Sequence, residues 1–168
     1  MANTYELIAS STVGAGGATT IDFTSIPSTY TDLVLICSLR VARASTVNNT
    51  VIKFNSSSSS YSEKILYGNG SSAGSYSDTQ IYDVNNAANS TSNTFANSQF
   101  YIPNYTGSAN KSVSNDSVAE NNATAATSQL VAGLWSNSAA ISSISLTDYS
   151  GTNFVQYSTA YLYGVKNA

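Results

Sequence analysis

The stretch from Thr31 to Arg43 constrains the fold more than any other part of the chain. Leu33, Leu35, Cys37, Leu39 and Val41 alternate there with Asp32, Val34, Ile36, Ser38, Arg40 and Ala42. Successive side chains of an extended strand point to opposite faces, so a period of two gathers the first set on one face, whereas a helix would scatter it. The second set begins apolar and turns polar. That predicts a central strand, covered on both sides at its start and wet on one side at its end.

Ten further segments read the same way: Tyr5 to Ser10, Ala18 to Phe23, Thr50 to Asn55, Glu63 to Tyr67, Thr79 to Val84, Gln99 to Ile102, Ser112 to Val118, Ser128 to Trp135, Ala140 to Thr147 and Phe154 to Val165. They are short, rich in Val, Ile, Thr, Tyr and Phe, and divided by Gly, Asn and Ser clusters. No window carries apolar residues at helical spacing, and the good helix formers are scarce. Only residues 85–97 and 116–126 leave room for a short helical turn. With no internal repeat and no linker, the expectation is a single all-β domain over residues 1–168, with residues 1–6 as an extended N-terminal arm.

In the last segment, Val155, Tyr157, Thr159, Tyr161, Tyr163 and Val165 alternate with Phe154, Gln156, Ser158, Ala160, Leu162 and Gly164. One face is large and aromatic, the other small, so the aromatic face is expected to meet another sheet or another subunit. Strong strands near both ends of the chain predict an antiparallel jelly-roll sandwich of about 8–10 strands, its first and last strands side by side. Another Greek-key sandwich is the alternative.

Composition then narrows the chemistry. Charged residues are 9% of the chain, against about 25% in typical domains, and Ser, Thr and Asn fill 67 of the 168 positions. With no His and one Cys, one chain cannot build a Ser/His/Asp or Cys/His triad, nor a His- or Cys-ligated metal centre. Cys37, inside an apolar run, reads as a buried thiol acting as a small hydrophobe. Twelve Tyr and five Phe argue against disorder despite the polar composition. The net charge is −3, and the six basic residues are scattered apart from Arg40 and Arg43. That is no footprint for a phosphate backbone, so nucleic acid is not an expected partner. No apolar run approaches the roughly 20 residues of a membrane span. Met1 to Glu6 lacks the basic, apolar start of a secretory leader, so synthesis in a cytoplasm without a signal peptide is expected.

Carboxylates are the remaining acid–base groups. Asp78 with Asp83, Asp116 with Glu120, and Asp148 are the candidates for a paired-acid site of the glycosidase kind. Nothing in their spacing selects a pair, and solvated or turn-capping roles account for them. The oxygen-rich segments Asn115-Asp116-Ser117 and Asp148 to Asn153 could hold Ca²⁺, but Asx-turns explain the same residues without a metal. No cofactor is therefore expected. The Tyr content, with Trp135 and abundant Asn, suits either a sugar-binding face or a subunit interface, and the interface is preferred because Tyr joins an apolar ring to a wet hydroxyl.

Several stretches also form a pattern together: Tyr5-Glu6-Leu7-Ile8-Ala9-Ser10, the run from Phe23 to Leu35, Leu66-Tyr67-Gly68-Asn69-Gly70, Tyr101-Ile102-Pro103-Asn104-Tyr105, Leu134-Trp135-Ser136-Asn137 and Ala160-Tyr161-Leu162-Tyr163-Gly164. This pattern of strand and turn residues resembles a group of small structural proteins of tailed bacteriophages, especially those of aquatic bacteria and cyanobacteria. The resemblance implies a non-enzymatic jelly-roll homotrimer in the virion, a capsid decoration (cement) protein bound to the major capsid protein on the outside of the shell. Tyr5, Tyr157, Tyr161, Tyr163 and Val165 are then the candidate interface residues, with residues 1–6 reaching onto the shell. The alternative it implies is a tail-fibre or tailspike tip that binds a receptor or a host surface glycan.

Overall fold

The computed structural model describes residues 4–122 and 126–166. Its strands in chain order are β1 (Tyr5–Thr12), β2 (Thr20–Phe23), β3 (Asp32–Leu39), β4 (Val47–Phe54), β5 (Tyr61–Gly68), β6 (Ala73–Asp78), β7 (Ile81–Asn86), β8 (Ala96–Ile102), β9 (Lys111–Ala119), β10 (Thr127–Trp135), β11 (Ile144–Asp148) and β12 (Thr159–Val165). All pairings between them are antiparallel, and the described residues contain no helix. The two segments with room for a helical turn hold strand ends and turns instead, and residues 123–125 lie outside the described residues.

The strands form two sheets, ordered β1-β12-β3-β8-β9-β10-β5-β6 and β2-β11-β4-β7. β1 does lie beside β12, with Tyr5 opposite Val165 and Thr12 opposite Thr159. Tyr5 and Glu6 therefore belong to a paired strand rather than a free arm, and residues 1–3 lie outside the described residues. Two consecutive pairs, β5 with β6 and β9 with β10, extend the large sheet on one side. With these four left out, the remaining eight strands run first, eighth, third, sixth across one sheet and second, seventh, fourth, fifth across the other.

The core lies between the sheets. Leu33, Leu35, Cys37, Leu39 and Val41 are each at most 1% exposed, as their alternation predicts. Burial pushes the Cys37 thiol well above its usual pKa. On the other parity Val34 is covered as expected, but the apolar Ile36 is open rather than covered, and Arg40 is buried rather than wet. Its guanidinium donates to the Ser90 hydroxyl and to the carbonyls of Ala88, Ser90, Thr91 and Thr94, folding the loop after β7 around a cation with no carboxylate partner among the described residues. Trp135, Tyr61 and Phe54 close one end of the core as an aromatic cluster, Trp135 stacked on Tyr61 at 6.1 Å.

Every residue of β7 is buried. Gly133 on β10 allows this close approach, because a Cβ there would meet the Ile81 side chain at 2.9 Å. β7 is an edge strand of the small sheet, and side chains of the large sheet cap its free N–H groups. Glu63 accepts from Tyr82 N–H at 2.8 Å and Ser117 from Val84 N–H at 3.5 Å. Edge strands left bare invite pairing with other chains.

The Asn excess has a local cause as well. Asn55, Asn93, Asn104 and Asn122 have φ between 48° and 62°, the left-handed region that Asn tolerates better than other side chains.

Candidate interaction surface

The outward parity of the eight-stranded sheet is the most distinctive surface of the molecule. One row crosses every strand: Ser10 opposite Tyr161, Tyr161 opposite Ile36, Ile36 opposite Gln99, then Asp116, Leu130, Leu66 and Ser75. The next row carries Leu7, Tyr163, Val34 and Tyr101, then Ser114, Ala132, Lys64 and Ser77. Apolar groups stand open in both rows. Leu66 is 62% and Leu130 61% exposed, and Tyr5, Leu7, Ile36, Tyr101, Val118 and Tyr161 are each at least 37% exposed.

The face has two apolar lobes. Tyr5, Leu7, Tyr161, Ile36 and Tyr101 form one across β1, β12, β3 and β8, and Val118, Leu130 and Leu66 form the other across β9, β10 and β5. Asn97, Gln99 and Ser114 lie between them. Two grooves of about 580 and 590 Å³ mark the second lobe, both lined by Leu66, Gln99, Asp116 and Leu130. Tyr101 is held at its rim, its hydroxyl donating to Asp32 at 2.7 Å, which raises the phenol pKa.

Tyr5, Tyr161, Tyr163 and Val165 come together on the first lobe, where Tyr5 lies opposite Val165. Tyr5 is 58% exposed, Tyr163 is half-buried and Val165 is 8% exposed. Tyr157 is not with them. The predicted strand from Phe154 is broken by a turn, Tyr157 has φ 72°, and β12 begins only at Thr159. The aromatic parity of β12 faces outward, so it does not pack between the sheets. Ala160 and Leu162, of the small parity, fill the core. Alternation alone missed Leu66, Leu130 and Val118. The signal available was that both parities of 128–135 are apolar, which a strand with one wet face does not require.

The candidate acids are spread over the outer face and the interior. Asp116 lies on the outward face and Asp83 inside the sandwich. Asp78 sits opposite Glu63. Glu63 is 2% exposed and spends one oxygen on Tyr82 N–H, leaving no open approach from solvent. Burial pushes the carboxyls of Asp83 and Glu63 up to about 7. The Ser98 hydroxyl donates to Asp83 at 2.7 Å, which offsets part of that rise.

Neither oxygen-rich segment is arranged as a cation cage. Asn115 and Ser117 point inward and Asp116 outward. In the second segment, one Asp148 oxygen accepts from the N–H groups of Ser150 and Thr152 and from the Thr152 hydroxyl, and the other accepts from Asn48. Among the described residues no three His, Cys, Asp or Glu side chains cluster as metal ligands. Trp135, 1% exposed, is a core residue and offers no ring for a sugar to stack on.

No protein-family model matches the chain, and no curated protein sequence matches it either.

Proposed function

We propose that this chain is a non-enzymatic virion structural protein of a tailed bacteriophage, a homotrimeric decoration protein that binds the major capsid protein on the outer surface of the shell and stabilises it. The observation that carries this reading is the strand order. With β5, β6, β9 and β10 set aside, the order first, eighth, third, sixth against second, seventh, fourth, fifth supports a jelly-roll reading, an architecture that recurs in viral capsid domains. The two added pairs, β5–β6 and β9–β10, widen one sheet into a broad platform.

A binding role follows from mass action. A protein that binds the assembled shell and not its separated subunits stabilises the shell by RT ln(1 + [L]/Kd), with no chemistry required. The surface suits that work. Of the six basic residues, Arg40 and Lys111 are buried, which leaves few Lys or Arg side chains open to trypsin-like proteases. The test is removal of the protein from the particle. Virions lacking it are expected to assemble and package DNA but to lose infectivity faster on heating and osmotic shock. Equal survival would refute the reading.

A second reading, a receptor- or glycan-binding tip of a tail fibre or tailspike, rests on the grooves of the second lobe. There Gln99 and Asp116 border an apolar floor, and jelly rolls also serve as lectin domains. Quantitative mass spectrometry of purified particles separates the two, since decoration predicts hundreds of copies per virion and a fibre tip tens or fewer.

A further inference from the structure

We infer that the outward face of the eight-stranded sheet is the contact between copies of this chain, the first lobe of one copy lying on the second lobe of the next. The inference rests on the homotrimer reading above and identifies its surface.

Area is the first argument. The eight open apolar residues of the face leave exposed the equivalent of about four whole side chains, on the order of 700–800 Å². The largest apolar patch of a typical monomer is about 300–600 Å², and a standard interface takes about 800 Å² from each partner. In a ring each copy buries both lobes, one in each of its two contacts, so its total buried apolar area is about one side of a standard interface.

Charge is the second. Lys64 and Asp116, of opposite sign, line a groove of the second lobe, and Lys64 already donates to the Ser77 hydroxyl. A strongly charged partner finds nothing complementary there. A Tyr-bearing surface of low charge does, and the first lobe of another copy, where Asp32 already accepts from the Tyr101 hydroxyl, is such a surface.

A two-fold pair lays the first lobe of each copy on the second lobe of the other, and a closed ring lays the first lobe of each copy on the second lobe of the next; both join unlike patches, and the homotrimer reading selects the ring. The polar strip of Asn97, Gln99 and Ser114 separates two patches of unlike character, aromatic on one side and aliphatic on the other.

The test uses the full chain and sedimentation velocity at high micromolar concentration. The wild type is expected to be a trimer. Leu7→Lys/Tyr161→Lys alters only the first lobe and Leu66→Lys/Leu130→Lys only the second, all at exposed positions. Each variant is expected to be monomeric with an unchanged circular dichroism spectrum. Mixed together, they are expected to form a 1:1 complex, since each retains the lobe the other lost; misfolded variants could not do this. A monomeric wild type overturns the inference, as does a trimer that survives either pair of substitutions. A trimer disrupted in this way from a protein located at the tail would uphold this surface while refuting the capsid reading. A monomer that still decorates shells would do the reverse.

Discussion

Glu63 on β5 accepts a 2.8 Å hydrogen bond from the backbone N–H of Tyr82 on β7, so a carboxyl of the large sheet caps the open edge of the small one. Leaving a buried donor unpaired costs about 1–3 kcal/mol, more than the net worth of the bond itself. Glu63→Ala, which orphans that N–H and opens a void, is expected to cost about 2–3 kcal/mol. Glu63→Gln retains an acceptor and should cost less than about 1 kcal/mol. Urea denaturation of both variants measures the difference.

The same carboxyl and that of Asp83 make stability depend on pH. Both are pushed up to about 7 by burial, so between about pH 4 and 7 the folded chain holds protons that the unfolded chain has released. Unfolding free energy therefore falls as pH rises through that window, and the contribution is fully present only below it. Each group accounts for a few kcal/mol at most, since a tenfold change in proton affinity is worth about 1.4 kcal/mol. The melting temperature is expected to be higher at pH 5 than at pH 8. In Asp83→Asn that difference should shrink, and an unchanged slope would contradict the assignment.

Arg40 organises the loop between β7 and β8 through neutral acceptors. Its planar fork reaches carbonyls on several sides, including Thr91 at 2.9 Å and Ala88 at 3.2 Å. The ammonium of Lys cannot reproduce a fork. Arg40→Lys is expected to cost about 2 kcal/mol and to raise amide hydrogen exchange across residues 87–94 more than elsewhere.

Gly164 gives Tyr30 its place. A Cβ at that position would lie 2.2 Å from the Tyr30 ring, and the ring in turn sits 5.2 Å beneath the Lys166 ammonium. Overpacking of this kind costs about 1–3 kcal/mol. Gly164→Ala is expected at the upper end of that range, and Tyr30→Ala should remove most of the added cost in the double variant. Additive costs in thermal or urea unfolding would show that the ring is not the obstacle.

Much of this architecture is legible in the chain. The strand near Thr31 and its buried parity follow from alternation, and the pairing of the first and last strands from the strong strand patterns near both ends of the chain. β6 is not legible, because Ala73 to Asp78 contains Gly, Ser and Asp and little that favours strands. It forms by pairing with β5 as an outer strand. The interaction surface is obscured for a different reason. In β5 the charged Glu63 points inward and Leu66 outward, the reverse of what hydrophobicity predicts. The inward carboxyl is tolerated because it finds a backbone donor and is held near neutrality by burial. The turn at Tyr157 likewise breaks an alternation that the residue types alone continue.

The adjacency of β1 and β12 has a consequence for how the molecule is made. β3, with the most apolar face in the chain, has β8 and β12 as its neighbours. On the ribosome it must wait with both edges bare until residues 96–102 emerge, and with one edge bare until residues 159–165 do. Pairings this distant in sequence are slow to form and leave partly folded chains prone to aggregate. β12, which follows the other eleven strands in the chain, thus closes the sheet, and loss of β12 alone should yield a chain that is made but never becomes soluble.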